Sequence, residues 1–153
     1  MSKANDTISH EDPFGLSRFI SAQEEVYNEV LAELKSGLKR THWMWFIFPQ
    51  IDGLGLSPTT QYYAIKSIEE ARKYLKHPIL GSRLIECTEA VLSIKGRTVS
   101  QIFGYPDDFK LKSSMTLFAF VSDPDSVFVR VLDKYFEGER DIKTLQLLDK
   151  LER

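Results

Sequence analysis

The stretch His42-Trp43-Met44-Trp45-Phe46-Ile47-Phe48-Pro49-Gln50 carries both tryptophans and two of the ten phenylalanines of the chain. Its apolar run is far shorter than the roughly 20 residues that cross a bilayer. The rings must therefore be buried in the fold or line a pocket. Read as a helix, the segment puts His42, Trp45, Phe46 and Pro49 on one side; read as extended, Trp43, Trp45 and Ile47 oppose Met44, Phe46 and Phe48. Both faces are apolar in either case, so whatever this chain folds into must be arranged around this segment.

The remainder reads as helices. Residues 1–11 are polar and non-periodic and are expected to form a loose tail before Asp12-Pro13, an N-cap followed by a helix-starting proline. From Leu16 to Leu34 the apolar residues recur at three and four, with Glu24, Glu25, Glu29 and Glu33 mostly off that stripe, and Gly37 closes the run. Ser57-Pro58 repeats the cap-and-proline signal and starts a second helix whose buried stripe is Ala64, Ile65, Ile68, Ala71 and Leu75, ended by His77-Pro78. Ile79 to Leu92 continue at helical spacing to Lys95-Gly96, and Thr98 caps a short turn over Val99 to Phe103. Asp107 is expected to cap a helix carrying Leu111, Met115 and Phe118. Asp123-Pro124 opens another, which Gly138 ends, although Val127-Phe128-Val129 would also suit a strand. Ile142, Leu145, Leu148 and Leu151 mark a terminal helix. No hairpin punctuation appears, so residues 12–153 are expected to form one all-α domain, a bundle of about six or seven helices.

Composition narrows the function. With 153 residues, 42% of them hydrophobic and 27% charged, the chain can bury a good core. A net charge of −2, with lysine and arginine dispersed, gives no field that would gather nucleic acid non-specifically. The single cysteine and three histidines form no spaced ligand set, so neither a metal nor another cofactor is expected. The N-terminus has no apolar stretch of signal-peptide kind, which makes the cytoplasm the expected location and a membrane an unexpected partner.

Several residues suggest chemistry. Trp43 and Trp45, beside Lys39, Arg40 and His42, have the makings of a slot where a nucleobase or nicotinamide ring stacks while cations meet phosphate. Gln50 and Gln61 flank the Asp52-Gly53-Leu54-Gly55 turn; a buried amide donates and accepts, and so reads the edge of a heterocycle or braces a loop equally well. Tyr62 and Lys66 stand four apart, off the apolar stripe. The start of the helix at Asp107 gathers Asp108, Lys110, Lys112, Ser113 and Ser114 near free backbone N–H groups, the ingredients of an anion site. A plainer reading pairs Asp108 with Lys112 and leaves the serines in solvent. No glycine-rich phosphate loop, nucleophile elbow or metalloprotease motif is present.

Taken in order, Asp12-Pro13-Phe14, Arg18-Phe19, the His42–Gln50 segment, Gly53-Leu54-Gly55, Tyr63-Ala64-Ile65, His77-Pro78, Leu80-Gly81, Arg83-Leu84, Phe103-Gly104 and Lys110–Phe118 resemble a small bacterial family of uncharacterised proteins. It is the domain-of-unknown-function family numbered eighteen-ten, often mislabelled calpastatin, and the resemblance implies a compact helical bundle without an established activity. A looser similarity links Thr59–Lys66 and Asp108, Lys110, Met115 and Phe118 to the NADAR superfamily of NAD- and ADP-ribose-linked N-glycosidases. That similarity implies a nucleotide-like ligand and C–N bond cleavage, but Thr60-Gln61 stands where NADAR proteins carry a Glu-His pair.

Two functions follow from these readings. In the first, Trp43 and Trp45 stack a ring, Gln50 and Gln61 read its edge, His42, Tyr62, Lys66, Lys110, Lys112, Ser113 and Ser114 complete an ADP-ribose-like pocket, and Asp108 is the carboxylate available for N-glycosidic hydrolysis. In the second, the chain is a non-catalytic binding or interaction module whose aromatic segment is core. Whether the tryptophans and the Lys110–Ser114 stretch close around one cavity distinguishes the two.

Overall fold

Side-chain caps set half of the helix starts among the described residues. In the computed structural model, which describes residues 11–153, the helices are α1 (Ser17–Gln23), α2 (Tyr27–Ser36), α3 (Met44–Ile47), α4 (Pro58–Tyr63), α5 (Ile68–Lys76), α6 (Leu80–Ser93), α7 (Val99–Phe103), α8 (Asp107–Phe120), α9 (Val127–Phe136) and α10 (Ile142–Glu152). The expected tail lies outside the described residues except for Glu11. Ser57, Ser67, Thr98, Ser126 and Asp141 each accept a hydrogen bond from a backbone N–H three residues on, the N-cap geometry that satisfies an otherwise free donor. Gly37 ends α2 in the left-handed conformation at φ 79°, donating to the carbonyls of Glu33 and Leu34.

The fold is all-helical among the described residues, with one isolated parallel bridge between Ile51 and Ile65. Ten helices among the described residues replace the expected six or seven for three reasons. The Leu16–Leu34 run breaks at Glu24–Val26 into α1 and α2. The Pro58–Leu75 run breaks where Ala64 turns extended, because Ile65 donates to the Gln50 carbonyl and accepts from the Asp52 amide. The aromatic segment itself supplies one turn, α3. Three expected caps also move: Asp12 stands five residues before the start of α1, its carboxylate accepting from the Leu16 and Ser17 amides across the Pro13–Gly15 turn, Asp107 is the first residue of α8 and not its cap, and Ser126, not Asp123, caps α9. Val127-Phe128-Val129 is helical.

α8 runs through the middle, packed against α3, α5, α7, α9 and α10. Every residue from Ser113 to Ala119 is buried, and a helix enclosed on all sides must satisfy its polar groups internally. Thr116 does so by donating to the Lys112 carbonyl at 2.8 Å and accepting from the Asp141 amide at 2.9 Å. Around it Phe19, Tyr74, Phe118 and Phe128 form a chain of ring contacts with centroids 5.0 to 5.7 Å apart. Of the four leucines and isoleucines expected to anchor α10 only Leu148 is buried, while Ile142 is 70% exposed. A strict three-residue step falls 60° short of a full turn each time and walks around the helix.

Two contacts hold the layers. The Arg18 guanidinium donates to the carbonyls of Phe14, Gly15, Tyr62 and Ala64 and pairs with the buried Glu70 carboxylate at 2.8 Å. This joins α1 to the α4–α5 corner. Gly81 lies so close to the end of α5 that a Cβ there would stand 2.0 Å from the Leu75 carbonyl oxygen. Replacing Arg18 by alanine strands the Glu70 charge in a buried place and should destabilise the fold by about 3 kcal/mol. Urea unfolding at neutral pH measures this; a loss within 0.5 kcal/mol, typical of exposed sites, would mean the pair is not holding the corner.

Candidate functional site

The aromatic segment and the start of α8 do meet, although not as a slot between two indoles. Trp43 is buried, its ring against Phe48 and Phe103 at 6.2 and 6.4 Å, and its indole N–H donates to Glu33 Oε1 at 2.9 Å. The Lys39 ammonium lies 4.9 Å from the centre of that ring. No face of Trp43 is left for a ligand, which corrects the expected stacking role. Trp45 is half-buried, and the Lys110 ammonium stands 5.2 Å from its ring centre. Asp107 connects the two lysines, 2.8 Å from Lys39 and 3.7 Å from Lys110. The result is a row in which each tryptophan carries a lysine and one carboxylate links the pair.

Trp45 also borders a crevice with Gln50, Ile51, Thr60, Tyr63 and Ala64. At about 10 Å³ it has room for one water molecule and not for a base. A planar ligand would have to lie over Trp45 instead of entering a preformed slot. His42 and Arg40 are exposed on the loop just before Trp43.

The other expected site residues are committed elsewhere. The Gln61 amide braces its loop by donating to the Leu56 carbonyl at 3.1 Å, and Lys66 donates to the carbonyls of Gln61 and Ala64. Tyr62 is exposed, packed edge-on against Tyr63. Lys112 pairs with Glu139 at 3.1 Å, and the Ser113 hydroxyl reaches the Phe109 carbonyl and Asp141, each at 3.2 Å, so both face the α9–α10 connection and not the tryptophans. Ser114 is fully buried and its hydroxyl has no partner among the described residues. The expected pairing of Asp108 with Lys112 does not form: Asp108 is buried, with Oδ2 accepting from the Ser100 hydroxyl at 2.9 Å and Oδ1 from the Phe109 amide at 2.8 Å. The N-terminal amides of α8 are likewise occupied, those of Asp108 and Lys110 by the carbonyls of Gly104 and Pro106. Its first turn already holds two carboxylates, which is a poor place for an external anion.

Glu33 is the residue the sequence reading missed. Its spacing sets it among glutamates mostly off the apolar stripe, yet it is buried and gathers the Lys39–Trp43 loop: its carboxylate accepts from Thr41 Oγ1 at 2.6 Å, the Arg40 amide at 2.8 Å, Trp43 Nε1 at 2.9 Å and the Thr41 amide at 3.2 Å. Burial raises the pKa of such a group, but the hydrogen bonds outweigh it and hold the carboxyl down at about 2, against an ordinary value of 4.5. Burial, helped by the nearby Glu86 charge, pushes the Cys87 thiol up to about 12, so it is no nucleophile at neutral pH. Among the described residues no three histidine, cysteine or carboxylate side chains are grouped to hold a metal, and no helix is long and apolar enough to cross a membrane.

The fold and site together define a small helical protein built on one enclosed helix, with a tryptophan–lysine row at that helix's start. The chain belongs to the family described as "Protein of unknown function (DUF1810)", whose model matches residues 13–148. It is also similar to the crystal structure of the conserved hypothetical protein Rv1873 from Mycobacterium tuberculosis, with 54% identity, a TM-score of 0.89, and coverage of 90% of this chain and 99% of that one. No protein with a curated description matches.

Because the Glu33 carboxyl is lowered on folding, its contribution is complete above the ordinary carboxylate range and fades as pH falls toward 2. A drop of this size corresponds to on the order of 3 kcal/mol. Glu33→Gln should therefore be less stable than wild type at pH 7, and the gap should close on acidification. Urea unfolding across pH 7 to 2 follows it; a gap that stays constant with pH would show that the carboxylate charge is not what holds the loop.

Proposed function

We propose that this protein is a binding module for a planar, phosphate-bearing ligand of nucleotide type, taken at the Trp45–Lys110 corner and released unchanged. The observation carrying this reading is the Lys110 ammonium 5.2 Å from the Trp45 ring centre, beside the Gln50 crevice. A half-buried indole offers a stacking surface that accepts any base, and a neighbouring ammonium meets a phosphate. Lys110 suits the second task because Lys39 is the closer partner of Asp107, at 2.8 Å against 3.7 Å. Gln50, on the crevice wall, supplies an amide for the edge of the ring, and His42 and Arg40 add donors from the adjoining loop.

Hydrolysis is the less supported half of the nucleotide reading. An N-glycosidase needs a carboxylate free to assist at the anomeric carbon, and both oxygens of Asp108 are held by Ser100 and the Phe109 amide. The loose similarity to the NADAR superfamily therefore bears on the type of ligand and not on turnover.

A thermal-shift panel of NAD, ADP-ribose, ADP and nicotinamide tests binding. A ligand at 100 times its dissociation constant stabilises by about 2.7 kcal/mol. ADP-ribose and ADP should raise the midpoint of wild type, nicotinamide should do so less, and Trp45→Ala and Lys110→Ala should each abolish the shift. The absence of a shift with every nucleotide would remove the proposal. Release of free base from an ADP-ribosylated guanosine by wild type, lost in Asp108→Asn, would replace it with the hydrolytic reading.

A further inference from the structure

Away from the Trp45–Lys110 corner, a groove of about 500 Å³ runs between the end of α5, the outer face of α6 and the turn into α9. Leu75, Ile85 and Val127 contribute apolar surface to it, and Ile85 is 38% exposed. Its charged lining is one-sided: Glu89 from α6 and Asp123 and Asp125 from the turn, all exposed, against the single cation Arg130. The ion pairs and side-chain hydrogen bonds among the described residues engage none of these four charges. The buried and half-buried acids Glu33, Glu70, Asp107, Asp108 and Asp141 hold specific donors, so these exposed carboxylates keep their charge available at the rim. Ser122, also in the lining, has a hydroxyl shielded from solvent with no hydrogen-bond partner. Glu89 further borders a second groove of about 320 Å³ on the other side of α6, where Glu86, held by the Tyr27 hydroxyl, and the cation Lys35 balance the charge, so the acidic character belongs to the first groove.

We propose that this groove docks a basic amphipathic segment of a partner protein, its apolar side on Leu75, Ile85 and Val127 and its lysines or arginines against Glu89, Asp123 and Asp125. The sign of the rim selects the occupant. Nucleic acid and anionic membrane surfaces are repelled by it, and a second copy docking through the same face about a two-fold axis would set acidic rim against acidic rim. A segment with cations flanking an apolar stripe complements both the floor and the rim, in the manner of a helix laid in a groove.

The test is fluorescence anisotropy of a labelled amphipathic leucine–lysine peptide with the full chain. Wild type should bind it, more weakly as salt is raised. The triple variant Glu89→Gln, Asp123→Asn, Asp125→Asn should lose about tenfold in affinity, the sum expected of three modest surface pairs. Ile85→Ser should weaken binding with the same salt dependence, and Arg130→Gln should tighten it. These positions lie at the surface or its edge, and an unchanged unfolding midpoint confirms an intact fold. Equal affinity of wild type and the triple variant overturns the proposal. So does equal binding of a leucine–glutamate peptide, preferential binding of anionic phosphatidylserine vesicles, or self-association of wild type that the triple variant abolishes.

Discussion

Enclosure of the Ser113–Ala119 stretch of α8 on every side governs this molecule. α8 touches five other helices, and a stretch with no solvent face must find internal partners for the hydroxyls it carries, whereas the first turn still reaches solvent through the exposed Phe109. This is why Ser113 and Thr116 turn to α10 and to carbonyls of their own helix, while at the helix start Asp108 closes on Ser100 and Asp107 stands between two lysines. In a chain where these groups were half-solvated, the same residues would read as a phosphate site. Here nearly all of that chemistry is spent on packing, with Ser114 left as an unpartnered hydroxyl in the interior.

Helices whose ends are fixed by neighbouring residues were readable in the sequence. Thr98 with Gln101, Ser57 with Pro58, and Gly37 act within three or four positions of themselves, and each is where its local chemistry put it. The breaks at Glu24–Val26 and Ala64–Lys66 were not legible. The second follows from a pairing of Ile65 with the Gln50–Asp52 strand-like stretch, a contact across the glycine turn that periodicity cannot see. α10 teaches a related point, since its regular three-residue spacing looked like a buried face and is mostly a surface.

The site was legible as a set of residue types and illegible as an arrangement. Tryptophans, lysines and an acid at the start of a helix were visible as candidates, and Trp45 and Lys110 are indeed neighbours. What separates Trp43 from Trp45 is Glu33, ten residues before Trp43, whose burial no pattern announced. One carboxylate, by capturing the indole N–H and two amides of the loop, turns one tryptophan inward and leaves the other at the surface. The functional reading changes with it, from an aromatic clamp to a single platform.

The approach of Gly81 to the Leu75 carbonyl bears on the far side of the molecule. Leu75 forms part of the wall of the acid-rimmed groove, and α6, which begins one residue before Gly81, supplies the opposite part. Backbone meets backbone at this corner, so the closest approach of the two walls is set by main-chain volume and not by adjustable side chains. Any side chain at position 81 would pry those jaws apart, so the absence of one carbon atom sets the narrowest gauge the groove can offer a guest.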